Sequence, residues 1–468
     1  MKQTKPSPFL RPQLLAAVVG SLSMAAAHAD LTLVPGMNPV QSSAATLTQT
    51  VCPAMGGIAE SLTAPQRVLF ESCSKLVVTS NWQQSPTGQT PGQGTFNLAL
   101  TEAGLRDALQ AVAPEEMNGL ARARTTSLAK PINARLLALR KGKGGGGLAG
   151  SSFDFNGHAV SLASLVPAGS TGGGASADAL SGGRFGGFIN AHTNWGDRDR
   201  SRLEDAFDFN DTGITAGIDY RFSDALVAGV AVAYSATDVD FDRRLGGVES
   251  DDLGVSLYGS YHLGGLYFDG HLGFSKVDFD TARRIVVVSN TAVAGFDTVA
   301  RGSTDADQIT ASLGVGYDMA NGDLTVSPFA RLNYLRLDTD GFREREALHS
   351  LGLDVRGRTV NSLISALGVN LTKAIGTGAG VVSPYLGVEW NHEFRNDGSG
   401  IVAKYTHDPF NTRFVIPVAS PDRNYFTVRA GVSGTFANGW SAFANYETVL
   451  GLEDTSNHAL TLGVRVEF

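Results

Sequence analysis

Charge is scarce in this chain: 18% of its 468 residues are charged, against ~25% in ordinary proteins. The balance is acidic, with a formal net charge of −8, which argues against nucleic-acid binding as the main task. Lysine almost vanishes after Gly150, where only Lys276, Lys373 and Lys404 occur. Two cysteines are too few for a disulfide scaffold or a four-thiolate zinc site. No stretch beyond the N-terminus reaches the ~18 consecutive apolar residues of a spanning helix, so helical membrane insertion is excluded. Catalytic signatures are missing too. There is no Gly-x-Ser-x-Gly elbow, no His-Glu-x-x-His and no N-terminal Gly-Asp-Ser, and no motif calls for a cofactor or metal. What the chain has in excess is glycine, 56 residues or about 12%, against the usual ~7%.

The N-terminus reads as an address. Lys2, Lys5 and Arg11 precede an apolar run from Leu14 to about Met24, and Ala27-His28-Ala29 supplies a small-x-small cleavage site. Residues 1–29 are therefore expected to be a secretory signal peptide.

From Arg184 onward, apolar residues fall at every second position. Ile214, Ala216, Ile218, Tyr220 and Phe222 interleave with Thr215, Gly217, Asp219 and Arg221. The last segment sets Leu460, Leu462, Val464, Val466 and Phe468 against Thr461, Gly463, Arg465 and Glu467. Alternate residues of a strand point to opposite faces, so each segment predicts a strand with one apolar and one polar face. A soluble sandwich would alternate as well, but three further features favour a membrane barrel. The segments have the length a tilted strand needs to cross a bilayer. Aromatic residues such as Tyr220, Tyr234, Tyr261, Phe274, Tyr317, Tyr334 and Trp390 sit where interfacial girdles would be. Tight turns (Ser223-Asp224, Gly264-Gly265, Asn321-Gly322, Gly376–Gly380, Asn438-Gly439) alternate with longer polar loops near 197–211, 238–250, 279–306, 337–358, 395–423 and 450–456.

Twelve strands result, near 184–196, 212–222, 225–237, 252–263, 266–278, 307–319, 323–336, 359–374, 381–394, 424–436, 439–448 and 457–468. The expected fold is all-β: a twelve-stranded antiparallel transmembrane β-barrel behind a short, mainly helical, Gly-rich-linked N-terminal region. An even strand number puts both barrel ends on one side. A terminal Phe468 on an alternating strand looks like the assembly signal read by outer-membrane insertion machinery.

Several motifs now carry a family likeness. Gly196-Asp197-Arg198 is followed by Thr215-Ala216-Gly217-Ile218-Asp219-Tyr220-Arg221-Phe222-Ser223-Asp224. Ser327-Pro328-Phe329-Ala330-Arg331-Leu332 leads to Asp338-Thr339-Asp340-Gly341-Phe342, and Asn445-Tyr446-Glu447 precedes Gly463-Val464-Arg465-Val466-Glu467-Phe468. This series resembles the β-domain of monomeric autotransporters of type V secretion, over about 285 residues. The resemblance implies a barrel in a Gram-negative outer membrane whose preceding segment passes through the pore to the cell surface. It also implies polar wall residues that hold a linker. By alternation the inward-facing candidates are Asp219, Arg221, Arg331, Glu389, Arg429, Glu447, Arg465 and Glu467, which pair either with each other across strands or with a threaded linker. Paired acids such as Asp251-Asp252 are read as solvated loop residues, and the histidines as scattered.

Residues 30–140 then form a short passenger and residues 141–183 a linker rich in glycine, with the barrel domain at 184–468. In an oxidising compartment Cys52 and Cys73 are expected to form a disulfide that closes a small helical hairpin. A basic cluster (Arg122, Arg124, Lys130, Arg135, Arg140, Lys141, Lys143) is either a solvated helix face or a surface for lipopolysaccharide or an acidic pore wall. The reading is of a translocator that displays a non-catalytic passenger, with outer-membrane lipid, lipopolysaccharide, periplasmic chaperones and the insertion machinery as partners, and a monomeric state. The rival reading is a passive pore with a periplasmic N-terminal region.

Overall fold

The computed structural model describes residues 30–84, 95–113, 152–155, 158–161 and 185–467, apart from 243–244, 347, 379, 396–399 and 437–439. The expected signal peptide, the basic cluster, most of the glycine-rich linker and Phe468 lie outside the described residues.

Twelve long strands form a closed antiparallel ring. They are β1 (Phe185–Arg198), β2 (Phe207–Arg221), β3 (Leu226–Phe241), β4 (Gly246–Leu263), β5 (Leu266–Val287) and β6 (Phe296–Tyr317), followed by β7 (Leu324–Thr339), β8 (Arg358–Lys373), β9 (Gly380–Glu393), β10 (Asn424–Phe436), β11 (Trp440–Leu450) and β12 (His458–Glu467). Each strand pairs with its neighbours in sequence, and β12 returns to β1 with Leu462 opposite Ala191. Closure leaves no unpaired edge for lipid to solvate. The turns joining β2–β3, β4–β5, β6–β7, β8–β9 and β10–β11 are short, and the other connections longer. At two of the short turns Gly264 and Gly322 adopt φ of 68° and 63° with nothing near a would-be Cβ, so backbone conformation alone requires glycine there. Elsewhere glycine makes room for rings inside the barrel. Phe443 lies against Gly463 and Tyr267 against Gly316, close enough that a Cβ would collide.

The alternation sorts side chains as the sequence predicts in the lower part of the barrel. Ile214, Ile218, Val230, Val232, Leu253, Val255 and Leu257 are exposed on the outside, while Thr215, Asp219, Ala231 and Ser260 are buried inside. Aromatic rings bound this apolar band at both ends. Phe185 packs edge-on to Tyr220 at 4.9 Å near the short turns, and Trp195, Tyr234, Trp390 and Phe426 mark the other edge. Phe185 and Trp195 are about ten residues apart, and at ~3.3 Å per residue and a tilt of ~40° this spans about 25 Å, the height of a membrane band.

Beyond the upper girdle the phase of the pattern reverses without a break in the strands. Phe207, Phe209, Val239, Phe241, Val277 and Phe279 now point inward and pack together, while Asp208, Asp238, Asp240, Asp278 and Asp280 face outward. Lipid has ended at this height, so water takes the outer face and the apolar side chains turn to the interior. The expected loops at 197–211, 238–250 and 279–306 are therefore much shorter. Their residues extend the strands, with β5 and β6 each running 22 residues.

The remaining long loops build structure of their own. Phe342–Arg343, Leu353–Val355, Ile401–Tyr405 and Phe414–Ile416 form a four-stranded sheet above the barrel. Three helices sit on it: α1 (Pro39–Gly56), α2 (Ala64–Gln84) and α3 (Glu102–Gln110). Helix α1 begins with a reciprocal cap in which Asn38 accepts from the Gln41 amide and Gln41 accepts from the Asn38 amide, with Pro39 at the first turn. Thr101 caps α3 through the Gly104 amide. Cys52 and Cys73 are joined by a disulfide linking α1 to α2, with Cα atoms 5.9 Å apart. The apolar faces of the helices share one continuous core with Ile285, Val287, Phe296, Leu353, Ile401 and Tyr405 of the barrel's outer end. The sequence reading expects the helices and the barrel as separate units, whereas here each completes the other's core.

Candidate functional site: the barrel lumen and its outer closure

Inside the membrane band one wall of the lumen carries a charge network. Glu389 of β9 is buried and its Oε2 accepts from Arg331 Nη2 of β7 at 2.9 Å and from Arg429 Nη2 of β10 at 2.6 Å. Both guanidinium groups lie over the Phe329 ring, at 5.6 and 5.9 Å from its centroid. In the register Arg429 stands directly opposite Glu447 of β11. Glu447 accepts from Asn445 Nδ2 at 3.3 Å, and Asn445 accepts in turn from the Tyr385 hydroxyl. Four of the inward candidates, Arg331, Glu389, Arg429 and Glu447, thus belong to one assembly that ties four strands together. A carboxylate shared by two arginines satisfies charges that would be costly to bury alone.

The other candidates are dispersed. Asp219 is buried on β2 and receives the Tyr258 hydroxyl at 3.3 Å. Arg221 is half-buried at the short-turn end of the same strand, and Arg465 is half-buried on β12. Glu467 pairs through its backbone with Gly186, and its side chain lies outside the described residues.

The opposite wall holds polar groups that the sequence reading sets aside. Asp252 is buried on β4 and accepts from Ser275 Oγ at 3.2 Å, so it is a lumenal residue and not a solvated loop acid. Its neighbour Asp251 faces out and accepts from the Tyr234 hydroxyl. His192 lies 3.3 Å from Asp211, which also receives Thr237 Oγ1 at 2.9 Å. His192, Thr215, Asp252, Ser256, His271 and Gln308 line a cavity of ≈ 40 Å³. Inward parity was the available signal for the six lining residues, since each falls within a strand the sequence predicts, Asp252 at the first position of one. Among the described residues no three acidic, histidine or cysteine side chains converge as a metal site.

Above this polar lumen come the apolar layer around Phe207, Phe241 and Phe279, then the loop sheet, then the helices. A short hairpin, Ser152–Phe155 with His158–Ser161, lies against β8, β10 and β11. In the outer layer Tyr405 is fully buried and bonded to Thr48 Oγ1 at 3.0 Å, and burial pushes its phenol up to about 12. Burial lowers His349 below its ordinary value, with Lys75 adding to the effect and Glu346 opposing it. For Glu346 burial works upward. Hydrogen bonds from Thr298 and from the amides of Leu348, Leu351 and His349 outweigh it and leave the carboxyl lowered.

A twelve-stranded lipid-facing barrel with a polar, charge-paired lumen and long loops at one end has the architecture of an outer-membrane β-barrel. A family model described as the autotransporter beta-domain matches residues 187–447, and the chain belongs to that family. Its place is the outer membrane of a Gram-negative bacterium, as a monomeric barrel that is not itself catalytic. Among solved structures it is similar to the translocator domain of autotransporter NalP from Neisseria meningitidis, at 17% identity and a TM-score of 0.47, covering 63% of this chain and 92% of that one. The beta domain of the Bordetella autotransporter BrkA is similar at 18% identity and a TM-score of 0.44, covering 61% and 100%. Outer membrane protein A of Rickettsia rickettsii is 28% identical over 200 residues, 41% of this chain and 9% of its own length. Esterase EstA of Pseudomonas aeruginosa is 23% identical over 264 residues, 56% of this chain and 39% of its own length. The chain thus spans well under half the length of these curated relatives.

Proposed function

We propose that the barrel carries the chain's own N-terminal segment across the outer membrane and displays residues 30–113 at the cell surface. The observation behind this reading is a matter of ends. Strand β1 begins at the short-turn end, whereas the helices sit on the loops of the long-loop end. Residues 114–184 must therefore connect opposite ends of the barrel, and a polar chain passing outside it would meet lipid. The charge network on β7, β9, β10 and β11 and the cavity on the opposite wall supply the polar surface such a connection needs.

The displayed unit is non-catalytic in this reading. Residues 30–157 contain no histidine to serve as a general base. An esterase function of the kind named for EstA has no counterpart in these residues. A signal peptide at 1–29, delivery by periplasmic chaperones, insertion through Phe468 and contact with lipopolysaccharide complete the proposal. Planar-bilayer conductance separates it from a passive pore. The full chain should conduct poorly, and a chain lacking residues 30–183 should open a channel. An open channel in the full chain, with residues 30–113 protected from protease on intact cells, would establish the pore instead.

A further inference from the structure

We propose that the helical unit of residues 30–84 and 95–113 forms a lid seated permanently on the outer mouth of its own barrel, not a passenger that is let go; this rests on the surface-display reading above. The interface is of the kind found inside a domain. The helices bury their apolar faces in one continuous core with Leu353, Ile401 and Tyr405 of the loop sheet. Interfaces that resemble a core cut in half belong to permanent assemblies.

Polar ties fix the position of the helices. Arg283, at 2% exposure, is held by Glu344 and donates from Nη1 to the Ala111 carbonyl at the end of α3, at 2.8 Å. This joins a barrel strand, an outer loop and a helix terminus through one buried guanidinium. The segment before α3 runs along the β5–β6 connection, where the Asn290 amide donates to the Leu98 carbonyl at 2.9 Å and Asn290 Nδ2 to the Ala99 carbonyl at 3.0 Å. Lys75 of α2 reaches the Ala294 carbonyl at 2.8 Å. These contacts come from α2, from the end of α3 and from the segment before it, so no single one carries the attachment. The covalent linker is then dispensable once the lid is seated.

The test uses the full chain in the outer membrane of intact cells. It carries an epitope tag after Asp30 and a site for a specific protease inserted after Glu116. Antibody access to the tag before cutting reports display. Cutting then asks whether the tagged fragment stays with the membranes. The lid predicts that antibody binds and the cut fragment remains in the membrane pellet. A Leu353→Asp chain, whose barrel is verified by its heat-modifiable migration, should lose the fragment to the medium on cutting. Retention in that variant, or release of the unaltered fragment, would overturn the lid while leaving display intact. A tag that antibody cannot reach on intact cells would instead defeat the display reading itself.

Discussion

Ala231 and Val232 are chain neighbours in different solvents, one 3% and the other 52% exposed. A water-soluble thiol reagent delivered to the lumen should label Ala231→Cys more readily than Val232→Cys in the assembled barrel, and the reverse pattern would invert the face assignment. Val232→Arg should destabilise the barrel by about 2–4 kcal/mol, read by urea unfolding in lipid, because a charge near the bilayer midplane has no partner. Glu389→Gln should weaken the barrel by about 3–5 kcal/mol, since it leaves Arg331 and Arg429 together without their shared carboxylate. In the outer layer the direction of pH dependence is fixed by His349 and Glu346. His349 is lowered in the folded state, so its contribution is complete above the unfolded value of 6.5 and is lost as pH falls through the folded value. Glu346 is also lowered, and its contribution is lost in the same direction but only below 4.5. Proteolysis of the outer loops should therefore rise as pH falls from about 7 to about 5; a constant rate would contradict it. Parity made the inward side of Arg331, Glu389, Arg429 and Glu447 readable in the sequence. Their mutual pairing was not, because it joins residues 58 and 40 positions apart through a curvature that alternation does not encode.

At the scale of elements, the strands were legible where lipid imposes apolar-out. Where the same strands leave the membrane, the sequence pattern reads as loop. Phe207-Asp208-Phe209-Asn210 alternates as cleanly as Ile214-Thr215-Ala216, but with the opposite sense, and a search for outward apolar residues stops at the girdle. The disulfide between α1 and α2 was expected from compartment and spacing, and its contribution should be about 3 kcal/mol to the helical unit. Cys52→Ser should raise protease sensitivity near Phe70 while leaving the heat-modifiable barrel intact, because insertion depends on strands more than a hundred residues away. Loss of the barrel in that variant would show that the helices assist assembly. The seating of the helices on the loops was beyond sequence reading altogether: Thr48 and Tyr405 meet across 357 residues, in segments whose own patterns name no partner.

For the whole molecule, the strands, the lumen and the outer layer describe one passage. A polar, charge-lined lumen lies in the membrane, an apolar layer closes over it, and the N-terminal helices cover both. Removing Phe468 should reduce the amount of assembled barrel in the outer membrane, because it directly follows β12, the strand that closes the ring against β1. Assembly at the ordinary level would refute that role. The central claim is that the N-terminal helices reach the surface while the first strand starts on the opposite side. The most direct measurement places one epitope after Asp30 and another in the short turn at Gly264, and probes both on intact and on permeabilised cells. The account predicts that antibody binds the Asp30 epitope on intact cells and the Gly264 epitope only after permeabilisation; an Asp30 epitope reached only after permeabilisation would contradict it.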